Sequence, residues 1–180
     1  MSRHTLENAV IEPLLLACTR VSTYSGARML TGASGFLFER DGRLFLVTNR
    51  HVLLDPPANH HPDRIEIVLH TDAVDLTRTG VLSAPLYRQG KSRWKQGEDS
   101  GGAIDVAALE LDRASLPPGA VLRPFTLDHL QDSLDEIGIG QPLLVVGFPL
   151  GFYDTVHNLP VARQAAVASA FGVRFQEKGY

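Results

Sequence analysis

Residues 35 to 48 read GFLFERDGRLFLVT: two apolar runs, Gly35 to Glu39 and Leu44 to Thr48, joined by Arg40-Asp41-Gly42-Arg43. Asp-Gly between two hydrophobic runs is a strong hairpin signal, because both central residues of a tight primed turn take positive φ. Outward from this hairpin the chain repeats the same grammar of short runs broken by Gly, Pro, Asp and Asn. Val21 to Tyr24 is one run, and Arg64 to His70 (RIEIVLH) alternates polar and apolar as a half-buried strand does. Val106 to Leu111, Leu143 to Phe148 and Val161 to Phe171 supply further strand-length runs. Many short strands with turn signals between them predict an all-β sandwich or barrel. Two helical segments are predicted, Thr5 to Thr19 with a restart at Pro13, and Thr126 to Leu134, where the Thr126 hydroxyl is placed to cap the first turn. Asp55 to Pro62 and Tyr87 to Gly102 are polar and irregular and are read as surface loops. Pro117-Pro118-Gly119 and Val121 to Pro124 suggest a crossover between two sub-units.

The chain has 180 residues and 19.6 kDa, enough for one domain or two small ones sharing an interface. A hydrophobic content of 44% with 21% charged residues is ordinary globular composition and excludes a disordered or collagen-like chain. Seventeen basic against twenty acidic side chains give a formal charge of −3, which calls for neither a nucleic-acid nor an anionic-membrane partner. One cysteine, Cys18, makes no internal disulfide and excludes a Cys-rich zinc module. The longest apolar stretches fall far short of the ~20 residues that span a bilayer. The N-terminus lacks a basic patch, apolar core and small-residue cleavage site, so a cytoplasmic location is expected.

Two segments carry chemistry. In Leu44 to Leu53, LFLVTNRHVL, an apolar strand ends in a polar turn that presents His51. In Ile104 to Leu111, IDVAALEL, Asp105 stands at the mouth of an apolar strand. A carboxylate in that setting accepts a hydrogen bond from one imidazole nitrogen, fixes the tautomer and leaves the other nitrogen free as a general base.

Thr31-Gly32-Ala33-Ser34-Gly35-Phe36, a hairpin, Thr48-Asn49-Arg50-His51-Val52 and then Asp105-Val106-Ala107-Ala108-Leu109 together resemble the trypsin-like (chymotrypsin-fold) serine proteases. The bacterial branch that includes the high-temperature-requirement proteases is the most similar. Val145-Val146-Gly147-Phe148-Pro149-Leu150-Gly151 looks like that family's later strand and turn, so the likeness runs from about residue 20 to 171. The resemblance implies a two-barrel architecture: an N-terminal helical segment over 1–19, a complete first barrel over 20–123, and a partial second barrel over 124–180. It also implies that His51 is the general base and Asp105 its orienting partner, with no cofactor and no metal. Ser34 resembles the family's structural strand serine.

The family's nucleophile sits in a Gly-x-Ser-Gly-Gly/Ser-Pro segment after the Asp, and Ser115, Ser133 and Ser169 do not match it. The string Asp99-Ser100-Gly101-Gly102 makes Ser100 a weak candidate. It precedes Asp105 by five residues, against the family's order, and has Glu98 where a glycine is needed for amides to converge on an oxyanion. A polar Gly/Ser/Asp loop is the simpler reading. No Ile-Val-Gly-Gly start occurs, so zymogen-type activation is not expected. Adjacent His60 and His61, even with His70, read as a solvated loop because neighbouring side chains point apart and no Cys completes a metal set. Gly138 and Gly140 precede their strand, which does not fit a dinucleotide fingerprint. Arg88 to Lys95 (RQGKSRWK) reads as a solvated loop with a packed Trp94.

The expected function is a trypsin-like serine endopeptidase domain acting on a peptide or protein substrate. It holds the His and Asp of the triad, its Ser is expected beyond residue 180, and this chain alone is expected to be inactive. The alternatives are a non-catalytic, protease-like peptide-binding module and a β-barrel adaptor in which His51 and Asp105 never meet. Exposed strand edges in a partial second barrel favour a homo-oligomer.

Overall fold

The computed structural model describes residues 12–171, and they are mostly β, in antiparallel sheets. A short helix, α1 (Pro13–Ala17), runs directly into β1 (Cys18–Ser25). β2 (Arg28–Arg40) and β3 (Arg43–Thr48) form the expected hairpin, with Arg40 paired to Arg43 and positive φ at both Asp41 (51°) and Gly42 (72°). A single helical turn, α2 (Arg50–Leu53), follows. Then come β4 (Arg64–His70), β5 (Thr79–Pro85), the small hairpin of β6 (Tyr87–Arg88) and β7 (Lys91–Ser92), β8 (Trp94–Asp99) and β9 (Gly102–Leu111). The last sheet pairs β10 (Pro142–Gly147) with β11 (Val161–Ala166).

Seven strands make one sheet in the order β5-β4-β1-β2-β3-β9-β8. Alternation builds its core: Leu44 and Leu46 from β3, Ile65 and Ile67 from β4, and Leu109 from β9 are all at most 1% exposed. No ladder joins the two ends of this order, β5 and β8. The chain between them turns back on itself instead, with Leu86 N–H donating to the Asp63 carbonyl (2.8 Å) and Arg93 N–H to the Leu86 carbonyl (2.9 Å). After residue 123, the β10–β11 hairpin is the one sheet among the described residues. Its seam with the larger sheet is tight at Ser34, whose Oγ accepts from Phe148 N–H (2.8 Å). A side chain at Gly147 would place its Cβ 2.6 Å from that oxygen. Among the described residues no helix is long and apolar enough to cross a membrane.

Several segments differ from the sequence reading. Tyr87 to Gly102 is not an open loop: it holds β6, β7 and β8, with Trp94 in the core at 8% exposure. An edge strand pairs on one side and tolerates charge on the other, so its polar residues hide it. The helix expected over Thr126 to Leu134 is one 3₁₀ turn, Leu127–His129. Leu127, Leu130 and Leu134 are 52 to 60% exposed, and a short helix with no core against its apolar face does not persist. Thr126 stands at the N-cap of that turn in a capping box with His129, its N–H donating to His129 Nδ1 (3.0 Å). Of the first predicted helix, the described part is α1; residues 5 to 11 lie outside the described residues.

Candidate active site

The site begins where β3 ends. The Thr48 hydroxyl donates to the Ser34 carbonyl (2.8 Å), tying the strand end to β2. Asn49 is extended (φ −69°, ψ 142°), and α2 then turns once, anchored by Val52 and Leu53 in the core. His60 Nε2 bonds to the Val52 carbonyl (2.9 Å) and supports the turn from the far side. His51 is therefore held by its neighbours while its own ring stays half exposed.

Asp105 arrives from β9. The β3–β9 ladder closes at Thr48 and Ala107, and Asp105 lies two residues further on, on the strand face shared with the buried Ala107 and Leu109. Two-residue periodicity thus puts the carboxylate at the open end of the core, level with α2. There it meets His51 twice. Asp105 Oδ2 lies 2.6 Å from His51 Nδ1, and Oδ1 accepts the His51 backbone N–H at 2.9 Å. Asn49 Nδ2 donates to Oδ2 and to the Asp105 carbonyl, both at 3.1 Å.

Partial burial raises the Asp105 pKa. The hydrogen bonds from the His51 backbone and ring, the imidazole's charge and the Asn49 amide outweigh that and hold it below the ordinary carboxylate value. With the carboxylate ionised, Nδ1 carries the proton and Nε2 is left with its lone pair. No described residue hydrogen-bonds Nε2, and the two side chains are 52% and 43% exposed. The geometry turns Nε2 toward an open face, where its lone pair can accept a proton.

A cleft of about 310 Å³ adjoins this turn, lined by Asn49, Thr48 and Val106 on one side and Val146 on the other. It shares Phe36, Val47, Cys18 and Val146 with a larger apolar groove of about 550 Å³ that reaches His129. Burial of the Cys18 thiol raises its pKa, so it is a protonated wall residue in this groove.

The other predicted residues fall elsewhere. Ser100 sits exposed at the tip of the β8–β9 hairpin, between the paired Asp99 and Gly102, and hydrogen-bonds to neither His51 nor Asp105. Ser34 serves the seam with Phe148, and Ser115 donates to Asp112 Oδ2 (3.3 Å). His70 is buried and bonds to the His157 carbonyl (2.7 Å), far in role from His60, and among the described residues no three His, Cys, Asp or Glu side chains are grouped to hold a metal ion. Gly140 forms the turn before β10 at φ +82°. Sequence reasoning missed Asn49, whose signal was a hydrogen-bonding side chain between a strand end and the histidine. It also missed a second pair, Asp154 and His157 (Oδ2 to Nδ1, 2.8 Å), which closes a turn together with the Val156 and His157 amides.

Compared with known families and characterised proteins, the chain matches no family model and no curated protein.

Proposed function

We propose that His51 and Asp105 are the base and orienting carboxylate of a trypsin-like serine endopeptidase domain. In this reading the seven-stranded sheet forms the first barrel and the β10–β11 hairpin opens the second. The observation that carries it is the two-point grip of one carboxylate on His51, at Nδ1 and at the backbone amide, with Nε2 left free. In the reaction, a serine hydroxyl gives its proton to Nε2 as its oxygen attacks the scissile carbonyl. Asp105 stabilises the imidazolium, which then protonates the leaving amine. Water repeats the cycle on the acyl-enzyme and restores the serine. In this reading the nucleophile and its oxyanion-binding amides come from sequence beyond residue 180, as the family resemblance implies. The substrate is a peptide or protein lying in the cleft beside Asn49 and Val106.

The test is labelling with a fluorophosphonate probe read by intact mass, on the 180-residue chain and on a longer natural form containing a Gly-x-Ser-Gly segment. The short chain should take no label. The longer form should take one and hydrolyse peptides, and His51→Ala should remove nearly all of that turnover. A stoichiometric adduct on the short chain would overturn the assignment and point to Ser100. Unchanged turnover in His51→Ala would remove His51 from the chemistry. A natural sequence with no such segment would leave the cleft as a peptide-binding module.

A further inference from the structure

Asn49 stands at the N-cap of α2, a position where an asparagine side chain ordinarily accepts a hydrogen bond from a backbone N–H of the first turn. Here it makes no such bond. Its amide turns across to β9 and donates to two oxygens of Asp105, the carboxylate Oδ2 and the main-chain carbonyl, each at 3.1 Å. The orientation of the amide is fixed by chemistry: the opposite flip would set a carbonyl oxygen against two acceptors. The contact with the carbonyl pins the Asp105 backbone on the β3 side, two residues past the last β3–β9 pair and opposite the irregular stretch of the β8–β9 ladder between Gln96–Ala107 and Glu98–Ala103. The contact with Oδ2 lands on the same oxygen that faces His51 Nδ1.

We infer that Asn49 is a positioning residue for the His51–Asp105 pair, selecting the Asp105 rotamer that presents one oxygen to the imidazole and the other to the His51 amide. The inference rests on reading His51 and Asp105 as a working dyad. With Asn49 in place the carboxylate is held from three directions: the His51 amide, the His51 ring and the Asn49 amide. Without it, Asp105 keeps its two contacts to His51 but loses the bond to its main-chain carbonyl on the β3 side. The cap is sacrificed to the carboxylate, and α2 remains in place through Val52, Leu53 and the His60 contact.

The test is an NMR titration of the 180-residue chain, following the Asp105 carboxyl carbon, the His51 ring and the His51 Nδ1 proton. Asn49→Ser keeps a capping residue but is too short to reach Oδ2. Asn49→Asp keeps the shape but replaces the donor by an acceptor. The Asp105 midpoint should rise in Asn49→Ser and rise further in Asn49→Asp, where two carboxylates share an edge. The Nδ1 proton should exchange faster in both. An Asp105 midpoint and Nδ1 proton unmoved in Asn49→Ser, or an Asn49→Asp midpoint no higher than that of Asn49→Ser, would overturn the role; a helix cap alone predicts those results. Asp105→Asn separates the underlying reading. The His51 Nδ1 proton should shift upfield and exchange faster in it, and an Nδ1 proton that ignores Asp105→Asn would mean there is no dyad for Asn49 to position.

Discussion

Replacing Gly147 by alanine should loosen the seam between the β10–β11 hairpin and the seven-stranded sheet. The added methyl would lie 2.6 Å from Ser34 Oγ and 3.1 Å from Ser34 Cβ, at the root of a strand side chain with no flexible end to swing away. Rotating the Ser34 hydroxyl relieves the first contact but breaks its bond with Phe148 N–H, and the second contact remains. Overpacking of this kind costs about 1–3 kcal/mol, and the lost hydrogen bond roughly 1 kcal/mol more. Against this, Gly→Ala at a residue whose φ is not positive returns about 0.4–1 kcal/mol through the unfolded chain. The net is a loss of about 1–3 kcal/mol, and for a chain of this size each kcal/mol lowers Tm by about 2–4 °C.

The assay is thermal and denaturant unfolding of Gly147→Ala, Ser34→Ala and the double variant. Ser34→Ala removes the oxygen that the new methyl strikes, so the double variant should be more stable than the sum of the singles by about 1 kcal/mol. Strict additivity, or a Gly147→Ala variant as stable as the parent, would refute the seam. The hairpin would then sit on the sheet without the close approach at Ser34.

Two further outcomes follow from the same structure. The folded Asp105 carboxyl titrates below its unfolded value of about 3.9, so its contribution is present above that pH and is lost as pH falls through the lowered folded value. Urea unfolding from pH 6 to pH 2 should show that acid-side loss, and Asp105→Asn should flatten it; an unchanged slope would refute the contribution. Trp94 Nε1 is buried with no hydrogen-bond partner, so Trp94→Phe removes an unpaired donor along with some area and should change stability by less than about 1 kcal/mol in denaturant unfolding, well under the ~3–5 kcal/mol of truncating a core tryptophan to alanine.

The readable parts of this sequence are those where local chemistry and burial agree. Asp41-Gly42 demanded positive φ twice and took it; Ile65, Ile67 and Leu69 alternate because only one face of β4 meets the core. His51 and Asp105 were legible because each stands where an apolar run stops, and the ends of paired strands are where side chains meet. The unreadable parts owe their form to distant partners. β8 is polar in sequence and becomes a strand because β9 offers it a ladder. In β5 the glycine and proline of TGVLSAP mask the alternation that buries Leu82 and Ala84. Leu127, Leu130 and Leu134 hold helical spacing, but each stays more than half exposed, too little burial to hold a helix.

The exposure of the pair bears on what its carboxylate does. Side chains 52% and 43% open to water sit where effective dielectric is high and salt screens, so the charge on Asp105 acts on the imidazole more weakly than it would in a sealed site. What solvent does not weaken is geometry. The 2.6 Å contact fixes which ring nitrogen carries the proton, and the bonds to the His51 amide and from Asn49 fix where the carboxylate stands. At that exposure Asp105 therefore sets tautomer and orientation first and acts through charge second. A substrate or further chain that closes over the cleft beside Val106 and Val146 would exclude water from the pair and strengthen its electrostatic share.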